Sequence, residues 1–335
     1  MSKVAVLDDW QGVARQSADW SDLAARADIV FFQEAFADED AAVAALADFD
    51  ILLSMRERMP MPRSLIVRLP KLAMIGITLK ANAALDVPAC TEQGILVCYT
   101  EGYGNGGANF ATAELALGLL IAAARAIPTG DANIRAGRFQ HGVPTGIGLA
   151  GKTLGIIGLG RQGSRMARYA EALDMNVLAW SENLTAETAA GEGAELVSKQ
   201  ELLERSDAIS LHVVLSPRSR GLIGADDIAR MKPGAILVNT SRGPLVDEAA
   251  LIEAVQAGRI TAALDVFDRE PLPADDRLRS APNTVLTPHL GYGVAETWAA
   301  FYPQSVENAL AFLSGSPIRV LNPDAVGIRE GSTHG

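Results

Sequence analysis

The chain has 335 residues, about two average domains at the usual ~150 residues each. Its hydrophobic fraction of 49% is ample for packed cores, which excludes disorder as a global description. A formal net charge of −11 argues against a nucleic-acid binder and against docking on anionic membranes, because both need a basic face. An anionic substrate remains compatible with an acidic shell, provided a local positive pocket receives it.

In chain order, the apolar stretch at the N-terminus is too short for a signal peptide. Short apolar runs then alternate with helical patterns, the signature of parallel α/β architecture. Residues 3–7, 29–32, 50–54 and 72–77 predict buried strands, with the Ala-rich stretch 38–47 as a crossover helix. Residues 115–124 are apolar over about half of the ~20 positions needed to span a bilayer, which predicts a buried helix. Only Cys90 and Cys98 are present, so neither a disulfide framework nor a four-cysteine metal site is expected, and a reducing cytoplasmic setting is. No metal centre is expected elsewhere.

A second strand series follows at 153–157, 176–180, 207–213, 235–239, 261–266 and 284–286, with helices at 164–173, 201–205 and 248–257. Two separate series predict two doubly wound parallel-sheet lobes. The glycine-rich segment 101–107 reads as one joint and 291–293 as a second, so that the helix 298–313 returns to the first lobe. The tail 327–335, which carries His334, is expected to fray.

The strand 153–157 runs directly into Gly158-Leu159-Gly160-Arg161-Gln162-Gly163 and then a helix. A GxGxxG in that strand–turn–helix context is a dinucleotide fingerprint. Gly158 permits the tight turn, Gly160 lets a pyrophosphate approach the backbone, and Gly163 lets helix pack on strand. The residue reading the ribose should end the next strand. Ser181 stands there, with Glu182 one position later and no arginine in the next residues. An acid at this point favours NAD over NADP, so NAD is expected through Glu182, while Ser181 leaves NADP open.

Hydride exchange between a nicotinamide and a carbinol needs a group to carry the hydroxyl proton, and histidine titrates in the right range. Of the four histidines, His141 lies in a loop and His212 lies inside an apolar strand, where a satisfied core role is ordinary. His289 falls just past the carboxyl end of a strand, where active-site residues of open α/β sheets gather. Arg242 and Asp265 leave two neighbouring strands at the same rim, and Glu270 follows. An arginine fork fits a carboxylate with two parallel hydrogen bonds. A glutamate beside His289 would fix its tautomer and favour the imidazolium.

These motifs together resemble the D-isomer-specific 2-hydroxyacid dehydrogenase family. The resemblance rests on Gly158–Gly163, on Asn239-Thr240-Ser241-Arg242-Gly243-Pro244, on Ala263-Leu264-Asp265-Val266-Phe267 with Glu270-Pro271, and on Thr287-Pro288-His289, and it extends over about residues 3–322. It implies an α/β fold in which a Rossmann-type cofactor lobe, residues 105–296, is inserted in a flavodoxin-like substrate lobe, residues 1–104 plus 297–335. Arg242 is implied as carboxylate anchor, His289 as acid/base and Glu270 as its partner. Gly158, Gly160, Arg161, Gln162, Gly163, Ser181, Glu182, Thr240 and Asp265 are implied on the NAD side, with Asp265 on the nicotinamide carboxamide. A homodimer joined partly through the helix 110–125 is also implied.

Two segments depart from the family pattern. Thr78-Leu79-Lys80-Ala81-Asn82-Ala83 replaces the usual glycine-rich substrate loop and here resembles phosphite dehydrogenase, which puts Lys80 and Ala81 beside the anion. The stretch 103–109 is richer in glycine and asparagine than usual. Trp298, Phe301 and Tyr302 offer either an aromatic wall or core packing. The reading is therefore hydride transfer between NAD(P)(H) and a D-2-hydroxy acid/2-oxo acid pair. Its alternatives are oxidation of an inorganic anion such as phosphite and a non-catalytic NAD(H)-sensing role.

Overall fold

The computed structural model describes residues 1–102 and 107–325, with residues 107 and 108 described by their backbone alone. Residues 103–106 of the glycine- and asparagine-rich joint and the tail with His334 lie outside the described residues. Contacts divide the chain into two compact units, Met1–Ala108 with Val294–Gly335 and Asn109–Gly293. These boundaries differ from 104/105 and 296/297 by a few residues. The reason is local: a 3-10 turn, Gly107–Phe110, leads into the second unit's first helix, and the last helix, Ala295–Leu313, belongs to the first unit from its opening turn.

The first unit holds five parallel strands, β1 (Ser2–Val6), β2 (Ala27–Phe31), β3 (Ile51–Leu53), β4 (Met74–Ile77) and β5 (Leu96–Tyr99), in the order β2-β1-β3-β4-β5. β3 and β4 are buried at every position, as strands covered by helices on both faces must be. Sequence reading passed over β5, a four-residue strand. Asn322 secures it: its Oδ1 accepts from the Val97 N–H at 2.7 Å, and its Nδ2 donates to Ile95 O at 3.0 Å and Thr91 Oγ1 at 2.9 Å. Trp298, Phe301 and Tyr302 all lie in the buried face of Ala295–Leu313.

The second unit holds seven parallel strands: β6 (Thr153–Ile157), β7 (Asn176–Trp180), β8 (Glu195–Leu196), β9 (Ala208–Leu211), β10 (Ile236–Asn239), β11 (Thr261–Leu264) and β12 (Thr284–Leu286). Their order, β12-β11-β10-β9-β6-β7-β8, is that of a doubly wound dinucleotide-binding sheet with one further strand at the edge. Along β10 the side chains alternate between two cores, Ile236 and Val238 on one face and Leu237 on the other. The apolar stretch 115–124 forms most of the helix Ala111–Ala124, which buries Ala116, Leu119, Leu120 and Ala124. Among the described residues no single helix is long and apolar enough to cross a membrane.

Asn322→Ala leaves the Val97 N–H and the Ile95 carbonyl buried without their partner. It should cost about 2 kcal/mol, seen as an earlier urea transition of the first unit. An unchanged midpoint would show that the C-terminal segment does not hold β5.

Candidate active site

The phosphate-binding turn is built by close contact. Gly158 adopts φ +97°, and a Cβ there would stand 2.5 Å from His212 O. A Cβ on Gly163 would stand 2.1 Å from Gly158 O, so the helix Arg161–Ala172 approaches the turn only because that side chain is missing. Gly160, by contrast, has nothing within 4 Å of an added Cβ, and the helix has no side-chain cap at its N-terminus. Its first N–H groups and the positive end of its dipole therefore face open space, which fits a pyrophosphate. Gln162 Oε1, in the first turn of that helix, and Thr240 Oγ1, just past β10, are buried without a hydrogen-bond partner. These residues fit a dinucleotide. Arg161 is exposed as the first residue of the helix, and Gln162 Nε2 donates to Asn109 O at 2.9 Å.

At the ribose end, Trp180 O accepts from the Gly158 N–H at 2.9 Å, which sets Ser181 at the lip of the turn. Sequence reading finds no arginine close behind Ser181. The fold supplies one from the loop after β9: Arg218 Nη1 lies 3.8 Å from Glu182 Oε2. His212, in the same loop, bonds Ser210 Oγ through Nε2 at 2.9 Å, and burial pushes its pKa down to about 4. It is a neutral structural histidine.

The chemically loaded rim lies at the other end of the sheet. β10, β11 and β12 are successive neighbours with Asn239 opposite Leu264 and Leu264 opposite Leu286. Adjacent parallel strands run ~4.8 Å apart, so the loops leaving their carboxyl ends emerge side by side. Arg242 leaves β10, with Nη1 donating to Ser241 O at 2.7 Å. Gly243 lets that turn press on the next loop, since a Cβ there would stand 2.1 Å from the Phe267 carbonyl carbon. Glu270 follows β11; its Oε1 accepts from the Phe267 N–H at 2.9 Å and its Oε2 lies 2.5 Å from His289 Nδ1.

His289 holds that position through its backbone, which is left-handed at φ +53°, an uncommon conformation for a side chain of its size. Its N–H donates to Asp265 O at 2.9 Å. The Asp265 carboxylate completes the clamp. Oδ1 accepts from the Leu290 N–H at 2.7 Å and from Thr287 Oγ1 at 2.6 Å, and Oδ2 accepts from the Gly291 N–H at 2.8 Å. Asp265 is fully buried, and burial pushes its carboxyl above the usual range despite those bonds and the nearby His289. Its oxygens are thus spent on the loop that carries His289, a structural duty that sequence reading did not foresee beside the expected carboxamide contact. Tyr292 meets the His289 ring edge-on at 5.6 Å.

In the first unit, Lys80 and Ala81 are exposed, with Lys80 Nζ 4.9 Å from the centre of the Tyr99 ring. Sequence reading missed a polar knot at the β1/β3 switch of this sheet, the usual ligand crevice of such strand orders. Arg58 donates from Nη1 to Asp8 O at 2.6 Å and stacks on Trp10 at 4.6 Å and on Trp298 at 5.8 Å. The Asp8 side chain is buried, and burial raises its pKa to about 7 against the pull of Arg58.

The chain matches the family model described as D-isomer specific 2-hydroxyacid dehydrogenase, NAD binding domain, over residues 117–291. It is 32% identical to the hydroxypyruvate reductase of Blautia hydrogenotrophica over 331 residues, covering 96% of this chain and 99% of that one. It is 41% identical to the D-3-phosphoglycerate dehydrogenase of Methanocaldococcus jannaschii over 257 residues, 76% of this chain but only 48% of that longer protein. A crystal structure titled putative D-3-phosphoglycerate dehydrogenase oxidoreductase, from Ralstonia solanacearum, superposes with a TM-score of 0.88 at 35% identity, covering 97% of this chain and 98% of that one. The chain belongs to the D-isomer-specific 2-hydroxyacid dehydrogenase family, and the dinucleotide that its glycine turn fits is NAD(H).

The raised Asp8 pKa has a definite sign. The unfolded chain ionises Asp8 in the ordinary carboxylate range, whereas the folded chain holds the proton to about pH 7, so stability drains away as pH rises through that window. Asp8 has φ +59°, which asparagine tolerates. Asp8→Asn should therefore melt higher than the parent at pH 8, with a smaller difference at pH 5. A difference independent of pH would contradict the burial of an acidic proton there.

Proposed function

We propose that the chain is an oxidoreductase that exchanges hydride between NAD(H) and a D-2-hydroxy acid/2-oxo acid pair. The observation that carries this reading is the His289–Glu270 contact at 2.5 Å, on a loop beside the one that delivers Arg242. Bound at Gly158–Gly163, Ser181, Glu182 and Thr240, the nicotinamide cofactor supplies or takes the hydride.

The chain's own residues do the rest. Arg242 grips the substrate carboxylate with its planar fork and draws electron density from the neighbouring carbonyl. Glu270 accepts from Nδ1–H, which fixes the tautomer and leaves Nε2 to carry the proton that moves to or from the substrate oxygen. In reduction, the imidazolium gives that proton to the developing alkoxide, and the neutral ring remains hydrogen-bonded to Glu270. Asp265 holds the loop that carries His289, and the family resemblance puts it on the nicotinamide carboxamide as well. Lys80 offers an ammonium group and Ala81 a backbone N–H, both exposed, that suit a small anion.

We place this activity in a cytoplasmic homodimer. Its support is the family resemblance together with Ile127, Ile134 and Phe139, which stand exposed in the segment following the helix Ala111–Ala124. Large apolar side chains gathered in one stretch are what a subunit interface covers. Lys80 is the one feature that favours the inorganic-anion reading, in which phosphite replaces the hydroxy acid.

Hydroxypyruvate and glyoxylate, the substrates in the names of relatives, are the first probes. With either, His289→Ala should lower kcat by about 10²- to 10⁴-fold, as loss of a general acid does, while NADH still binds. Undiminished turnover would remove His289 from the mechanism.

A further inference from the structure

What separates NADP from NAD is one phosphate on the ribose 2′-oxygen, and a site accepts it when a cation stands near and no strand-end carboxylate repels it. Both conditions meet at the end of β7. The strand-end residue is Ser181, a neutral hydroxyl that can donate to a phosphate oxygen. The next acid, Glu182, already faces Arg218 at 3.8 Å, so its charge is partly offset.

Arg218 also stands on a fixed base. Ser219 closes its turn: Ser219 Oγ accepts from the Ser216 N–H at 2.8 Å and donates to Val214 O at 2.8 Å, and the Ser219 N–H bonds Ser216 O at 3.1 Å. From that base the Arg218 side chain is 81% exposed and that of Glu182 is 71% exposed. An ion pair between such exposed groups is weak and gives way easily. A phosphate dianion offers the guanidinium more charge and a bidentate geometry, so it outcompetes Glu182 for Arg218.

We propose that Ser181 and Arg218 form a 2′-phosphate subsite, so that the chain takes NADP(H) as well as NAD(H). Glu182 works as the alternate occupant. With NAD(H) it is free to accept from a ribose hydroxyl; with NADP(H) it yields Arg218 to the phosphate. This rests on the second unit's binding a dinucleotide at its glycine turn, and it adds a residue, Arg218, that lies 37 positions beyond Ser181 in the chain.

Binding measured by NADH and NADPH fluorescence, with no substrate present, tests the proposal apart from catalysis. The parent should bind NADPH within about tenfold of NADH, and Arg218→Ala should raise the NADPH/NADH Kd ratio by about tenfold, the scale of one charge-assisted contact. Ser181→Asp should raise the same ratio at least as much, and 2′,5′-ADP should displace NADPH from the parent better than AMP does. NADH binding with NADPH more than about a hundredfold weaker, or an Arg218→Ala ratio equal to the parent's, overturns the subsite alone. Failure of both cofactors to bind overturns the dinucleotide reading with it.

Discussion

One buried carboxylate holds the reacting end of the second unit together. Asp265 accepts from the Leu290 and Gly291 N–H groups and from the Thr287 hydroxyl, while its own carbonyl takes the His289 N–H. Those four bonds hold His289 at a positive φ, and from there its Nδ1 meets Glu270. An imidazole on a freely moving loop would spend most of its time away from its partner, and ordering it at each turnover would cost entropy. Placing the clamp out of water strengthens each of its bonds, at the expense of holding a carboxyl where burial disfavours its charge.

The sheet order decides which chemistries become neighbours. The strands β10, β11 and β12 deliver guanidinium, carboxylates and imidazole from three adjacent carboxyl ends, although the residues span almost fifty positions of sequence. The topological switch falls between β6, which ends in the glycine turn, and β9, which ends in the His212 loop whose backbone forms the turn's floor. Two of its glycines are explained by a distance: 2.5 Å and 2.1 Å to the atoms that a methyl group would strike at Gly158 and Gly163. The glycine turn and the proposed acid/base residues are thus set by the same seven parallel strands.

Much of this was legible in the chain itself. β6, β7 and β12 begin and end where their apolar runs do, because a buried parallel strand reads as a continuous hydrophobic stretch bounded by turn residues. Arg242, Glu270 and His289 were legible because each follows such a strand within a few residues. β5 and the two-residue β8 were not: they are too short to show a period, and β5 depends on Asn322, far away in sequence. The Asp265 clamp left no local signal, since its donors lie some 25 positions downstream. Arg218 and the Arg58 knot escaped for the same reason; both are juxtapositions made by strand order and carry no motif.

The central claim is that Glu270 and His289 work as one device, and a double-variant cycle addresses it most directly. Catalytic groups that act as a unit are strongly non-additive, so Glu270→Gln introduced into His289→Ala should leave kcat where the single histidine variant put it. A doubly substituted chain slower by the product of the two separate effects would contradict the account.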